Sequence, residues 1–141
     1  MTTEGTNSLP VVSPEVSELA RRLYERRGDG AVVPFVEASM DGWTPDENQC
    51  HRNVDWWVRA NPACKAVRGW VVFDYNQTSL GLVPQVLFEA HSVVEQEGGS
   101  WVDITPSRVS QRYPFLRHEG SEDEFVELVE GGYRRLVLQV S

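Results

Sequence analysis

Residues 90–106 read AHSVVEQEGGSWVDITP. Glu97-Gly98-Gly99 is a turn signal between two runs rich in β-branched and aromatic side chains, so the stretch predicts an antiparallel hairpin. Its first strand is expected from Gln85 to Gln96 and its returning strand from Ser100 to Ile104. His91 and Asp103 lie 12 residues apart, with the turn midway. Folding the hairpin sets them on adjacent strands, and equal parity about the turn lets both side chains share one face. A carboxylate beside an imidazole holds one ring tautomer and favours the protonated ring.

Upstream, residues 66–75 alternate as a β-rich run that includes VRGWVVFDY. Before it, Thr44-Pro45-Asp46-Glu47 has the pattern of a capping box, and Asn61-Pro62 is a stop, so a helix is expected from about Pro45 to Arg59. That helix carries Cys50 in NQCHRNVDWW, residues 48–57. A start at Thr44 would bury Cys50 too deep to gain from the helix dipole. A start near Glu47 or Asn48 would give the thiolate the full benefit. Ser13-Pro14-Glu15 opens an earlier helix with Val16, Leu19, Leu23 and Tyr24 at helical spacing, and Gly28 stops it. Asp29 to Trp43 reads as loop, as does Thr105 to Arg117 with its two prolines. Ser121 and Glu124 form a second capping box for a helix that carries Phe125, Leu128 and Val129 and ends at Gly131-Gly132. Tyr133 to Val140 alternates as a last strand. The class is α+β: helices on an antiparallel sheet, in a single domain over 1–141, with a polar tail over 1–12 that frays.

The chain has 141 residues, two cysteines and a formal charge of −8. Nucleic-acid binding is not expected, because clustered Lys and Arg are missing. No apolar run approaches a membrane span and no secretory signal opens the chain, so a cytoplasmic protein with free thiols is expected, export by a signal-less route aside. No CxxC pair is present, and no metal or cofactor is expected.

The ordered set of Cys on a helix, His on a strand and Asp on the next strand resembles the papain-like and transglutaminase-like cysteine hydrolase superfamily. CHRNV resembles its nucleophile helix. VRGWVVF resembles the strand that follows. AHSVVEQEGGSWVDITP resembles the His strand, its turn, a Trp and an Asp-x-Thr segment. The likeness spans roughly residues 43–106; Ser92-Val93 departs from the small residue and Trp that follow the His in many members. The resemblance implies a papain/transglutaminase-like core and a Cys50–His91–Asp103 triad acting on an amide of a protein or peptide. Protease, isopeptidase and glutamine deamidase chemistry are all of this type. Backbone N–H groups near Cys50, with Gln49 or Asn48, would stabilise the oxyanion.

Each of these residues also has a plainer reading. Cys50 can be a small buried hydrophobe, as can Cys64. His91 can be a core histidine and Asp103 a turn-former. Asn53, one turn beyond Cys50, either bonds near the site or satisfies a neighbouring loop. His51 points away from Cys50, to the surface or the substrate side. Trp43 would line a substrate cleft, and His118, in a loop beside Gly120, would be solvated. The alternative function is a non-catalytic acidic binding module, an inhibitor or immunity protein on the same fold. The oligomeric state is not legible.

Overall fold

A computed structural model describes residues 13–75, 85–108 and 111–139. Within them the order is α1 (Pro14–Glu25), a 3-10 turn (Arg27–Asp29), β1 (Ala31–Val32), α2 (Cys50–Ala60), β2 (Lys65–Tyr75), β3 (Gln85–Glu95), β4 (Trp101–Val102), β5 (Pro114–Arg117), α3 (Glu122–Glu130) and β6 (Arg135–Gln139). The strands form one sheet in the order β1-β5-β2-β3-β4, with β6 also paired to β3, and every ladder is antiparallel. The architecture is mixed α+β. No helix among the described residues is long and apolar enough to cross a membrane. The tail expected over residues 1–12 lies outside the described residues, as does Val140 of the last strand.

Side chains alternate across β2 and β3, and the alternation sorts the core into two faces. Trp70, Val72, Val86, Phe88 and Ala90 point to the face that carries the helices. There they meet Val16, Leu19, Ala20 and Leu23 of α1 and Phe125 of α3. Val94 and Ala66 continue that face and receive α2 through Val54, Trp57 and Val58. The opposite face holds Val67, Val93 and Phe115, with Val33 packed on them.

The helix ends follow local chemistry. Ser13 Oγ accepts the Val16 N–H at 3.2 Å and Pro14 takes the first helical position. Ser121 and Glu124 close the expected capping box, at 3.1 and 2.8 Å. Gly98 and Gly99 adopt φ of 103° and 98°, which makes the hairpin turn at the expected place.

Three local expectations are corrected. The second helix starts at Cys50, five residues after Pro45, because the loop before it is tied down differently. The Asn53 side chain donates to the Asp46 carbonyl (2.8 Å) and accepts the Asp46 N–H (3.1 Å), so the loop folds back on the first turn. The returning hairpin strand pairs only over Trp101–Val102. The stretch 105–117 is not loop throughout: Pro114–Arg117 is β5, inserted between β1 and β2.

That insertion depends on Gly69. A Cβ there would strike the Leu116 carbonyl and come within 2.6 Å of Cζ of the Phe115 ring. The bare backbone lets the Phe115 ring cross over Gly69, which is the register partner of His91. Gly69→Ala is therefore expected to lower stability by about 2 kcal/mol, as overpacking does. A denaturant midpoint unchanged from the parent would show that β5 does not need this glycine.

Candidate active site

β3 has 11 residues and pairs with β2 over all of them. Its other edge is shared. β6 covers Gln85–Glu89 and β4 covers Val94–Glu95, leaving residues 90–93 between two neighbours. The start of α2 sits at this interval. Cys50 reaches His91 on one face of the strand, while His51 reaches Ser92 on the other.

Cys50 is the first residue of α2, where the helix dipole acts at full strength. Asn48 precedes it at φ 63°, a left-handed conformation that asparagine tolerates, and Gln49 makes no side-chain cap. The N–H groups of the first turn have no partners inside the helix, and the Gln49 side chain does not cap them.

His91 Nε2 lies 2.7 Å from Asp103 Oδ2, which leaves Nδ1 for the thiol. The β3–β4 register, extended by one residue, sets Asp103 opposite Val93, diagonal to His91 on the same face. Asp103 lies beyond the short β4 and is held by other contacts. Its N–H donates to the Pro34 carbonyl at 2.8 Å, and its carbonyl accepts the Val36 N–H at 2.9 Å. Oδ1 accepts the Thr105 N–H at 3.0 Å. Oδ2 accepts both His91 and Arg112 Nη1, the latter at 3.0 Å. The turn-forming and imidazole-binding readings of Asp103 thus hold together, one on each oxygen.

The charges follow from these contacts. Burial alone would raise the Cys50 thiol, but hydrogen bonds from His51 and His91 outweigh it and bring the thiol down to about 6. Burial alone would lower His91, yet Asp103 and the thiolate raise it to about 10. Burial would also raise Asp103; His91, the Thr105 N–H and Arg112 instead hold it below the usual carboxylate range. Between about pH 6 and 10 the pair is a thiolate facing an imidazolium. It opens on a cleft of about 910 Å³, walled by Val71, Phe73 and Phe115 and reached by Asn48 and Arg112.

Of the residues singled out in the sequence, the structure brings together Cys50, His91, Asp103 and Asn48. With them it brings His51, which is expected to point away from Cys50 but lines the same cleft and hydrogen-bonds the thiol, because the head of α2 meets the edge of β3. Gln49 is exposed and does not line the cleft. Asn53 is buried, its amide used by Asp46 and by Thr105 Oγ1 at 3.1 Å, so it braces loops. Trp43 is not on the cleft; its ring lies tilted at 6.3 Å from both Trp56 and Trp57 and packs with Trp57 against the core between α2 and the sheet. His118 is half-buried rather than solvated. It accepts the Trp70 indole N–H at 3.1 Å, and its ring packs on Phe125. Arg112 gives no signal in the sequence, because it lies in a stretch without periodicity and finds Asp103 only through the fold. Among the described residues, no three His, Cys, Asp or Glu side chains are grouped to hold a metal ion.

A scan of protein-family models and searches of curated proteins and of solved structures found no match for this chain.

Alkylation of Cys50 by iodoacetamide should rise with pH through an inflection near 6, the midpoint of its thiolate. An ordinary thiol inflects near about 8.5. Peptide-resolved mass spectrometry across pH 5 to 9 reads the profile, and an inflection at the ordinary value would remove the activated thiolate.

Proposed function

We propose that this chain is a cysteine-dependent amide hydrolase of the papain-like or transglutaminase-like type. The observation that supports it is one chain of contacts at a cleft: a helix-head thiol, His91 against it, and Asp103 on the far nitrogen of that ring.

The chemistry follows from the charges. The Cys50 thiolate attacks the carbonyl carbon of an amide, and the C=O π pair moves onto oxygen. The first-turn N–H groups of α2, which adjoin Cys50 in the chain, and Asn48, which lines the cleft, would be the donors to that oxyanion. When the oxyanion collapses, the C–N bond breaks and the leaving nitrogen takes the proton of His91. The acyl group is then a thioester on Cys50, and His91 is neutral. Water attacks the thioester, His91 takes its proton, and a carboxylic acid departs, restoring thiolate and imidazolium. Asp103 and Arg112 stay charged throughout and fix the ring.

The substrate in this reading is a protein or peptide amide, with an apolar group placed against Val71, Phe73 and Phe115. Hydrolysis, including glutamine deamidation and isopeptide cleavage, is preferred over transfer to an amine because water is always present. A working thiolate fits a reducing compartment such as the cytosol.

The test is incubation of the chain with a proteome-derived peptide library, read for new termini, for deamidated glutamine and for loss of isopeptide links. Cys50→Ala should abolish turnover and His91→Ala should nearly do so. Asp103→Asn should cost about 10²-fold, less than the roughly 10⁴ that the same change costs a serine-based triad, because a thiol depends less on its base. All three should stay folded by circular dichroism. Absence of turnover in the parent, with Cys50 alkylated equally fast in His91→Ala, would leave a binding module instead.

A further inference from the structure

Cys50 touches two imidazoles, and the triad uses one. The second, His51, is the next residue along α2 and also faces the cleft. Its ring stands edge-on to Phe125, with centroids 5.6 Å apart. Its Nδ1 lies 2.6 Å from Ser92 Oγ, and Arg68 Nη1 donates to that same oxygen at 2.8 Å.

Arginine only donates, so Arg68 occupies a lone pair of Ser92 Oγ. Ser92 is fully buried and must place its own hydroxyl proton. Among the described residues, the acceptor within reach is His51 Nδ1. In the neutral ring Nδ1 therefore carries a lone pair, and Nε2 carries the hydrogen. Arg68 is held in turn by Asp55 and by Glu122, the latter at 3.2 Å, so α2, α3 and β2 all fix the relay. Nε2 lies on the side of the ring turned away from Ser92, and His51 stays in hydrogen-bond contact with the thiol.

We propose that His51 is a second catalytic residue, an Nε2–H donor to the Cys50 sulfur, whose tautomer is set by the positioning residues Ser92 and Arg68. The two rings divide the work: His91 carries the proton that moves, and His51 holds the sulfur's negative charge without exchanging a proton. During attack that charge leaves the sulfur for the carbonyl oxygen, and the His51 donor weakens as the first-turn N–H groups take over. No bond to His51 forms or breaks. The role rests on the hydrolase reading, but its test does not need a substrate.

The first measurement is the ¹⁵N shift pair of the His51 ring in the parent protein at pH 8, assigned by its loss in His51→Gln. The expected result is a protonated Nε2 and a bare Nδ1. A protonated Nδ1 overturns the proposal whatever the variants do. The second is Cys50 alkylation at pH 6. Loss of one charge-assisted hydrogen bond should slow His51→Phe by about five- to tenfold and move the inflection upward. His51→Gln, which keeps an N–H donor, should recover most of the rate. Ser92→Ala keeps the imidazole but frees its tautomer, so the ¹⁵N pair should show a mixture and the rate should fall by about threefold. A folded His51→Phe that alkylates like the parent also overturns the role. Failure of the hydrolase reading would look different: no turnover on any library, with the ¹⁵N pair and the alkylation series as expected.

Discussion

The length of β3 is the constraint on which the rest of the molecule depends. Eleven residues pair with β2 on one side, but the opposite edge is divided between β6 and β4. A buried strand with unpaired backbone groups is costly, so something must occupy the interval. The Ala90 N–H is met by the Arg134 carbonyl at 2.8 Å. Beside it, the head of α2 meets residues 91 and 92 through side chains. Because neighbouring residues of a strand face opposite ways, consecutive residues of α2 meet consecutive residues of β3 on opposite faces: Cys50 with His91, His51 with Ser92. A helix head at a strand edge therefore gives the sulfur access to both layers of the protein.

The helix face of that arrangement is held by charge as much as by packing. Arg68 is buried in β2 and reaches Asp55 on α2 and Glu122 on α3, both half or more exposed. Ion pairs with exposed partners add little stability. Their value here is orientation, because one guanidinium fixes two helices and a serine. The guanidinium Nε has no hydrogen-bond partner among the described residues, a cost that fits a role in placement rather than in stability.

The parts of this structure that are legible in the sequence are those with local causes. The hairpin that brings His91 to Asp103 needs only period-two alternation and Gly98-Gly99. Both serine caps are readable from four residues each. The start of α2 is not, since Thr44-Pro45-Asp46-Glu47 has a helix-start pattern while the decision falls to Asn53, whose amide captures Asp46 from seven residues on. β5 is hidden for a similar reason: two prolines mark its stretch, and its partners lie far back in the chain. The signal for it is Gly69, an otherwise unexplained glycine inside a strand, which marks a close approach. The division of labour between two adjacent histidines cannot be read at all, because helical spacing turns His51 away from Cys50 and only the edge of β3 brings both rings to the sulfur.

One consequence lies in the length of α2. Eleven helical residues span about 16 Å, and Cys64, the other cysteine of the chain, follows the far end of that helix. A disulfide requires Cα atoms within about 7 Å. The helix thus acts as a rigid spacer between the two sulfurs. A thiolate in an open cleft is the form that peroxide attacks first, giving a sulfenic acid. In many redox-tolerant proteins a nearby cysteine condenses with that acid and protects it from further oxidation. Here the fold keeps the second sulfur out of reach, so recovery of an oxidised Cys50 depends on a thiol small enough to enter the cleft from solution.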